Sequence, residues 1–407
     1  MLRRHRPPSL PPLPRARDRS RRSPARGASS VARSARPRPP PTVSPRPAPP
    51  AAPDPPRSRV GVARLIVEVT RGERVESRHR GSIAVVAPSG ELIASYGDPD
   101  EFAFIRSSAK PFQLAPFVAS GRFDAYDFPA PVEALAVMAA SHSGEDRHVR
   151  TVQAVLRAGG LTRDVLACGM HPPYDTETAQ RLIRDGEPLT PLRHNCSGKH
   201  AAMALHAKAA GWPVETYWQP DHPIQVLALE TVATLGGVDA SAIVTATDGC
   251  GVVTFGMPLR SLALAYARLA DPMGVADAAL RTSLARIRDA MMAHPELVAG
   301  ERRRLDTALM RAAPGRLVSK AGAEGVQALG LLAVSRGRHH GTAGVAIKIE
   351  DGDGAHRARD VSACESLRQL GILDAAALEG LSAYAAPPIV DPRGVSVGVV
   401  RPAIKLA

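Results

Sequence analysis

The chain changes character near residue 60, and that break limits what it can fold into more than any other feature. Residues 1–60 contain 17 of the 38 prolines, 15 arginines, no lysine and only two acids, Asp18 and Asp54. Proline removes amide donors, the arginines repel one another, and almost no aliphatic or aromatic side chain is present to bury, so nothing offsets the entropy of ordering. Residues 1–59 are expected to be a disordered, solvated tail, or residues upstream of a true start near Val60, with 60–407 as the folded domain. The formal charge of +13 would suggest a nucleic-acid or membrane-surface binder, but all of it lies in the first 60 residues; the other 347 hold 37 basic and 37 acidic residues. Nucleic acid is therefore not an expected partner. Arg21-Arg22 is not followed by the apolar stretch of an export signal, and no apolar run approaches the roughly 18 residues of a spanning helix. No membrane anchor and a cytoplasmic location are expected.

Four cysteines, Cys168, Cys196, Cys250 and Cys364, form no Cys-x-x-Cys pair, so neither a disulfide framework nor a zinc knuckle is indicated. After the break, 63–69, 82–86 and 91–96 read as strands, the last two joined by the turn cluster Ala87-Pro88-Ser89-Gly90. From about 107 to 313 the apolar spacing is helical, broken by short runs such as 243–245. Residues 343–349 alternate as a strand, 361–370 read as a helix and 397–405 as a closing strand. Strands at both ends and helices between predict an α+β fold: one antiparallel sheet from both chain ends, with an inserted helical lobe and a site in the crevice. No Walker loop or dinucleotide glycine fingerprint is present.

Only six of the 52 basic residues are lysines: Lys110, Lys199, Lys208, Lys320, Lys348 and Lys405. A guanidinium keeps its proton in a protein whereas a desolvated amine can lose it, so a lysine in an arginine-rich chain marks a place where a neutral amine is useful. Three sit in suggestive sequence. Ser107 and Lys110 stand three apart at an expected helix start, the Ser-x-x-Lys spacing of serine acyl-transfer enzymes, with Ser107 the nucleophile and Lys110 the base. The segment from His194 to His200 combines Cys196, Lys199 and His200, and Thr247-Asp248-Gly249-Cys250 follows some fifty residues later. Thiols, imidazoles and an amine there suit zinc, and residue chemistry alone selects Cys196, His200, Cys250 and, as a fourth, His222. Two unliganded buried cysteines are the plain alternative. Lys320 lies in Val318-Ser319-Lys320. The hydroxyls, imidazole and carboxylates of Ala140 to Asp146 crowd a helix end, where Glu145 or Asp146 also suits capping.

Taken in order, these segments resemble the asparaginase II family, the Rhizobium-type (class 3) L-asparaginases. The resemblance is carried by RSSAKP from Arg106, ASHSGEDRH from Ala140, CGMHP from Cys168, NCSGKHAAM from Asn195, QPDHPIQ from Gln219, TDGCG from Thr247, HPELVAG from His294 and KIEDGDG from Lys348. It implies a fold like that of serine β-lactamases, penicillin-binding proteins and serine-dependent glutaminases. It implies two catalytic pairs, Ser107 with Lys110 and Ser141 with Lys320, and zinc (Zn2+) held by Cys196, Lys199 and Cys250 with water, in place of His200. L-asparagine is the implied substrate and a homodimer the implied assembly. The run Glu301-Arg302-Arg303-Arg304 is more basic than the resemblance suggests near a substrate mouth.

The reaction expected is attack of Ser107 on the side-chain amide, release of ammonia and hydrolysis of the acyl-enzyme to aspartate, with Ser141 and Lys320 completing the proton relay. Backbone amides near Ser107 would stabilise the oxyanion, each by roughly 3–4 kcal/mol. Arg106 is expected to meet the α-carboxylate and Asp248 the ammonium group or the zinc shell. Two other classes compete: a metal-free β-lactamase-like or penicillin-binding-like serine hydrolase, and a nucleic-acid-binding module using the Arg/Pro tail.

Overall fold

The computed structural model describes residues 63–407. The tail assignment, 1–59, lies outside the described residues. Strands β1 (Arg64–Arg71), β2 (Arg74–Val86), β3 (Leu92–Tyr96), β4 (Phe102–Phe104), β5 (Val244–Thr247), β6 (Val253–Pro258), β7 (Leu317–Ala321), β8 (Val326–Arg336), β9 (His339–Ile349), β10 (Pro388–Val390) and β11 (Ser396–Pro402) form two sheets. The large one is eight-stranded and antiparallel, in the order β10-β11-β1-β2-β9-β8-β7, with β3 also paired to β2. Residues 64–96 thus share one sheet with residues 317–402; in β1–β11 the register sets Val67 opposite Pro402 and Val69 opposite Val400. In β9 the five consecutive residues 343–347 are all buried. Because side chains alternate between faces, unbroken burial means that both faces are covered.

Helices α1 (Lys110–Ala119), α2 (Pro131–Met138), α3 (Asp146–Ala158), α4 (Thr176–Asp185), α5 (Ser197–Ala210), α6 (Pro223–Gly236), α7 (Leu259–Ala270), α8 (Ala278–Ala293), α9 (Pro295–Val298), α10 (Leu305–Ala312) and α11 (Arg357–Gln369) supply the rest of the core. α7 lies on β2, β8 and β9, and α11 on β1, β9 and β11. Gly344 makes the α7 contact close, since a Cβ there would run into the Ala263 carbonyl. α1 is packed between α5, α6 and α8 and buries Phe112, Leu114, Phe117 and Val118. Each such side chain contributes about 1.5–3 kcal/mol on transfer from water. A helix buried nearly all round gives Lys110, in its first turn, no route to solvent.

The second sheet, in the order β4-β6-β5, is not what the helical spacing of 107–313 predicts. The run at 243–245 enters strand β5, which pairs with β6 from Val244–Gly256 to Thr247–Val253. β4 pairs with β6 on its other side, Phe104 opposite Gly256. This small sheet sets the segment after β4, which holds Arg106 and Ser107, beside the β5–β6 turn, which holds Asp248 and Cys250. Among the described residues no helix is long and apolar enough to cross a membrane.

Candidate active site

The Ile105 amide donates to the Phe255 carbonyl at 2.9 Å, tying the exit from β4 to β6. Arg106 then takes a left-handed φ of 48°. A non-glycine residue in that region stores about 1–3 kcal/mol, and here the kink swings the chain into a 3-10 turn, Arg106–Ala109, ahead of α1. Ser107 emerges half-buried on the wall of a cavity of about 700 Å³, which Ser141, Tyr174, Asn195, Arg303 and Tyr384 also line.

The hydrogen bond expected between Ser107 and Lys110 does not form. Lys110, wholly buried, turns inward and donates from Nζ to the Ala140 carbonyl at 2.5 Å and to Ser141 Oγ at 2.8 Å. The 3-10 turn is the reason: Ser107 belongs to it, whereas Lys110 opens the α-helix that points into the core. Lys320, also wholly buried, approaches Ser141 Oγ from the other side at 2.9 Å and donates to the Ala321 carbonyl at 2.7 Å. One hydroxyl thus stands between two amines. Desolvation lowers the pKa of both, that of Lys320 far below the usual lysine range. A neutral amine keeps a lone pair that can take a hydroxyl proton.

The second cluster begins where α5 meets α2. A Cβ on Gly198 would strike the Val137 carbonyl, so glycine is required for this approach. Cys196 and Cys250 are each 3% exposed, and one ligand atom from each, with one from Asp248, lie within 4.8 Å of one another. Lys199 Nζ is 3.0 Å from Cys250 Sγ. The Cys196 thiol is pushed well down, first by a hydrogen bond from Cys250. Burial raises Asp248, but Lys199 and Arg106 bring it down to about 2. Neither histidine of the residue-based zinc reading belongs to this close group: His200 Nδ1 meets the Tyr217 hydroxyl at 2.8 Å while its ring lies beside the Cys250 thiol, and His222 caps α6 by accepting from the Ile224 amide at 3.2 Å. Two thiols, an amine and a carboxylate are a donor set suited to zinc.

Arg106 and Asp248, expected to bind substrate, bind each other, with Nε donating to Oδ1 at 2.6 Å, and neither lines the cavity. The basic run after Gly300 divides: Arg302 pairs with Asp175 at 2.6 Å, Arg303 lines the cavity and Arg304 reaches the Ser141 carbonyl at 2.8 Å. Glu145 is the N-cap of α3 in a capping box with His148, so the capping reading holds there. Asp306 is a buried cavity-lining residue that motif reading passes over. Its signal was an acid on the apolar face of a helix, flanked by Leu305, Leu309 and Met310.

The family model for L-asparaginase II matches residues 67–402, and the chain belongs to that family. No curated protein sequence matches it. Among solved structures it is similar to the native form of Mglu, with 17% identity over 72% of this chain and 65% of that one and a TM-score of 0.33. The chain spans less than two thirds of the length of Mglu. It is also similar to a probable glutaminase from Bacillus subtilis complexed with 6-diazo-5-oxo-L-norleucine, with 14% identity over 72% of this chain and 84% of that one and a TM-score of 0.34. Overlaps this loose say nothing about substrate.

Proposed function

We propose that the protein hydrolyses the side-chain amide of L-asparagine to L-aspartate and ammonia through an acyl-enzyme. The observation that carries this reading is the hydroxyl of Ser141 held by two buried amines beside a cavity that Ser107 also lines. Ser107 attacks the amide carbon, and its proton passes by way of the Ser141 hydroxyl to Lys110, whose amine is bonded to that hydroxyl. Lys320, on the far side of that hydroxyl, completes the relay. Ammonia leaves with the proton returned by the amines; water then attacks the ester and gives a proton to the amines, which pass it to Ser107 as the ester bond breaks. A second reading makes Ser141 the nucleophile, because it already bonds both amines while Ser107 has no hydrogen-bond partner for its hydroxyl among the described residues.

Cys196, Lys199 and Cys250 would hold zinc, with Asp248 beside them; Lys199 would ligate as the neutral amine. When bound, the ion supplies positive charge that orients the Asp248–Arg106 pair and, through it, the turn carrying Ser107. Arg106 keeps Nη2 for the α-carboxylate, its Nη1 standing 4.0 Å from Glu324 Oε1, and Arg303 adds positive charge on the cavity wall. Four free cysteines, all buried, accord with a reducing, cytoplasmic setting. The homodimer is tested by solution mass.

The deciding experiment is ammonia release from asparagine and from glutamine by wild type, Ser107→Ala and Ser141→Ala. Loss of about 10³-fold or more in Ser107→Ala, with an acyl adduct on Ser107 in Ser141→Ala, supports the first reading. Turnover of Ser107→Ala within threefold of wild type transfers the nucleophile to Ser141. Hydrolysis of a chromogenic cephalosporin without ammonia release would replace both readings with the β-lactamase-like one.

A further inference from the structure

Lys320 lies on β7, the outer strand of the large sheet, where backbone groups facing away from β8 lack a strand partner. The Gly322 amide bonds back to Val326 at 2.9 Å, so the Ala321 amide points outward, and it donates to Asp306 Oδ2 at 3.0 Å. On the other side of Lys320 the Ser319 hydroxyl donates to Asp306 Oδ1 at 2.7 Å. Gln327 Nε2, from β8, donates to the same carboxylate oxygen and to Ser319 Oγ, both at 2.9 Å. Asp306 is 1% exposed, and Ser319 and Gln327 are fully buried. Two residues earlier, Arg304 donates from Nη2 to the Ser141 carbonyl and from Nη1 to Ser143 Oγ and the Ala299 carbonyl, each at 2.8 Å.

We propose that Asp306 is a positioning residue of the active site, pinning both neighbours of Lys320 while Arg304 pins the Ser141 backbone, so that amine and hydroxyl stay in contact. This rests on the reading that Ser141 and Lys320 take part in amide hydrolysis. A long flexible side chain keeps a fixed tip only if its backbone is fixed, and hydrogen bonds to a buried carboxylate are the strong kind. Asp306 also acts through its charge. The charged and titratable groups facing Lys320 are Asp306 on α10, Lys110 on α1, Arg304 ahead of α10 and Cys196 ahead of α5. Asp306 raises the affinity of Lys320 for its proton against the desolvation that lowers it.

The test compares Asp306→Asn and Ser319→Ala with wild type by kcat, KM, pH profile and crystal structure. Asp306→Asn removes the charge and can set a donor against the Ala321 amide. It should lower kcat about 10²-fold with KM within threefold. The acid limb of its kcat profile should move to lower pH, because a base that has lost a neighbouring anion gives up its proton more readily. Its crystal structure should show Lys320 Nζ beyond hydrogen-bond reach of Ser141 Oγ. Ser319→Ala keeps the carboxylate and should lose a few-fold in kcat without moving the limb; it decides the matter if Asp306→Asn does not fold. An unmoved limb with kcat within threefold, or an intact Lys320–Ser141 contact in both variants, overturns the proposal. Wild type that releases no ammonia overturns the proposed function instead, and the crystallographic distance still decides the positioning claim.

Discussion

Lys320 and Lys199 are both buried, yet their surroundings drive them in opposite directions. Around Lys320 desolvation dominates and pushes the amine well below the usual lysine range. Around Lys199 desolvation also acts, but the charges of Cys250, Cys196 and Asp248 outweigh it and raise the amine above the usual lysine range. The contrast separates two uses of one residue type. In the proposed mechanism the amine beside hydroxyls and carbonyls would serve as a base, and the amine beside thiols would join a ligand set, its proton having to be displaced before the nitrogen can bind a metal.

The sharpest way to break the comparison is Lys320→Met. We expect at least about a 10³-fold loss of ammonia release with the fold retained. The stability change carries its own sign. A lysine whose folded pKa is lowered binds fewer protons folded than unfolded between that value and about 10.4, so stability rises with pH across that window. Removing Lys320 should abolish its share of the slope, up to about 1.4 kcal/mol per pH unit, in denaturation series from pH 7 to 10. An unchanged slope would mean that Lys320 is not held neutral.

The thiol cluster is tested by Cys250→Ala. Zinc content near one ion per chain in the wild type should fall to background, with a loss of about 10–100-fold in turnover. Full zinc retention would remove Cys250 from the site. A smaller effect concerns histidines outside both clusters. Burial lowers His148 and His206 to about 4, so each binds fewer protons folded than unfolded between pH 6.5 and 4. Stability should therefore fall as pH drops through that window, by up to about 1.4 kcal/mol per pH unit for each, and His206→Phe should shallow the fall. Deleting residues 1–58 should change turnover and zinc content by less than twofold, since every matched motif lies beyond them.

The sequence carries the hairpin at 82–96 and most helices, because turn residues and apolar periodicity are local signals. It carries the reactive residue types as well: Ser141 and Lys320, paired by the resemblance, are in contact, whereas Lys110 meets Ser141 in place of Ser107. The partner choice within that cluster was not legible. Spacing gives Lys110 to Ser107, but the chain changes from a 3-10 turn to an α-helix between them and redirects the amine. The small sheet was hidden because β4 is three residues long and its partner strand β6 lies over 150 residues on. Asp306 was hidden because its role depends on the outer edge of β7, which no local pattern marks.

The large sheet also has a consequence in time. About 220 residues separate the end of β3 from the start of β7, and β1 finds its outer neighbour only at β11. At 5–20 residues per second a ribosome needs roughly 10–45 s to cross that gap. For that interval β1, β2 and β3 have been made but most of their sheet has not, and such unpaired edges are prone to wrong association. The order in which the chain is written thus leaves those edges open before the strands that cover them exist.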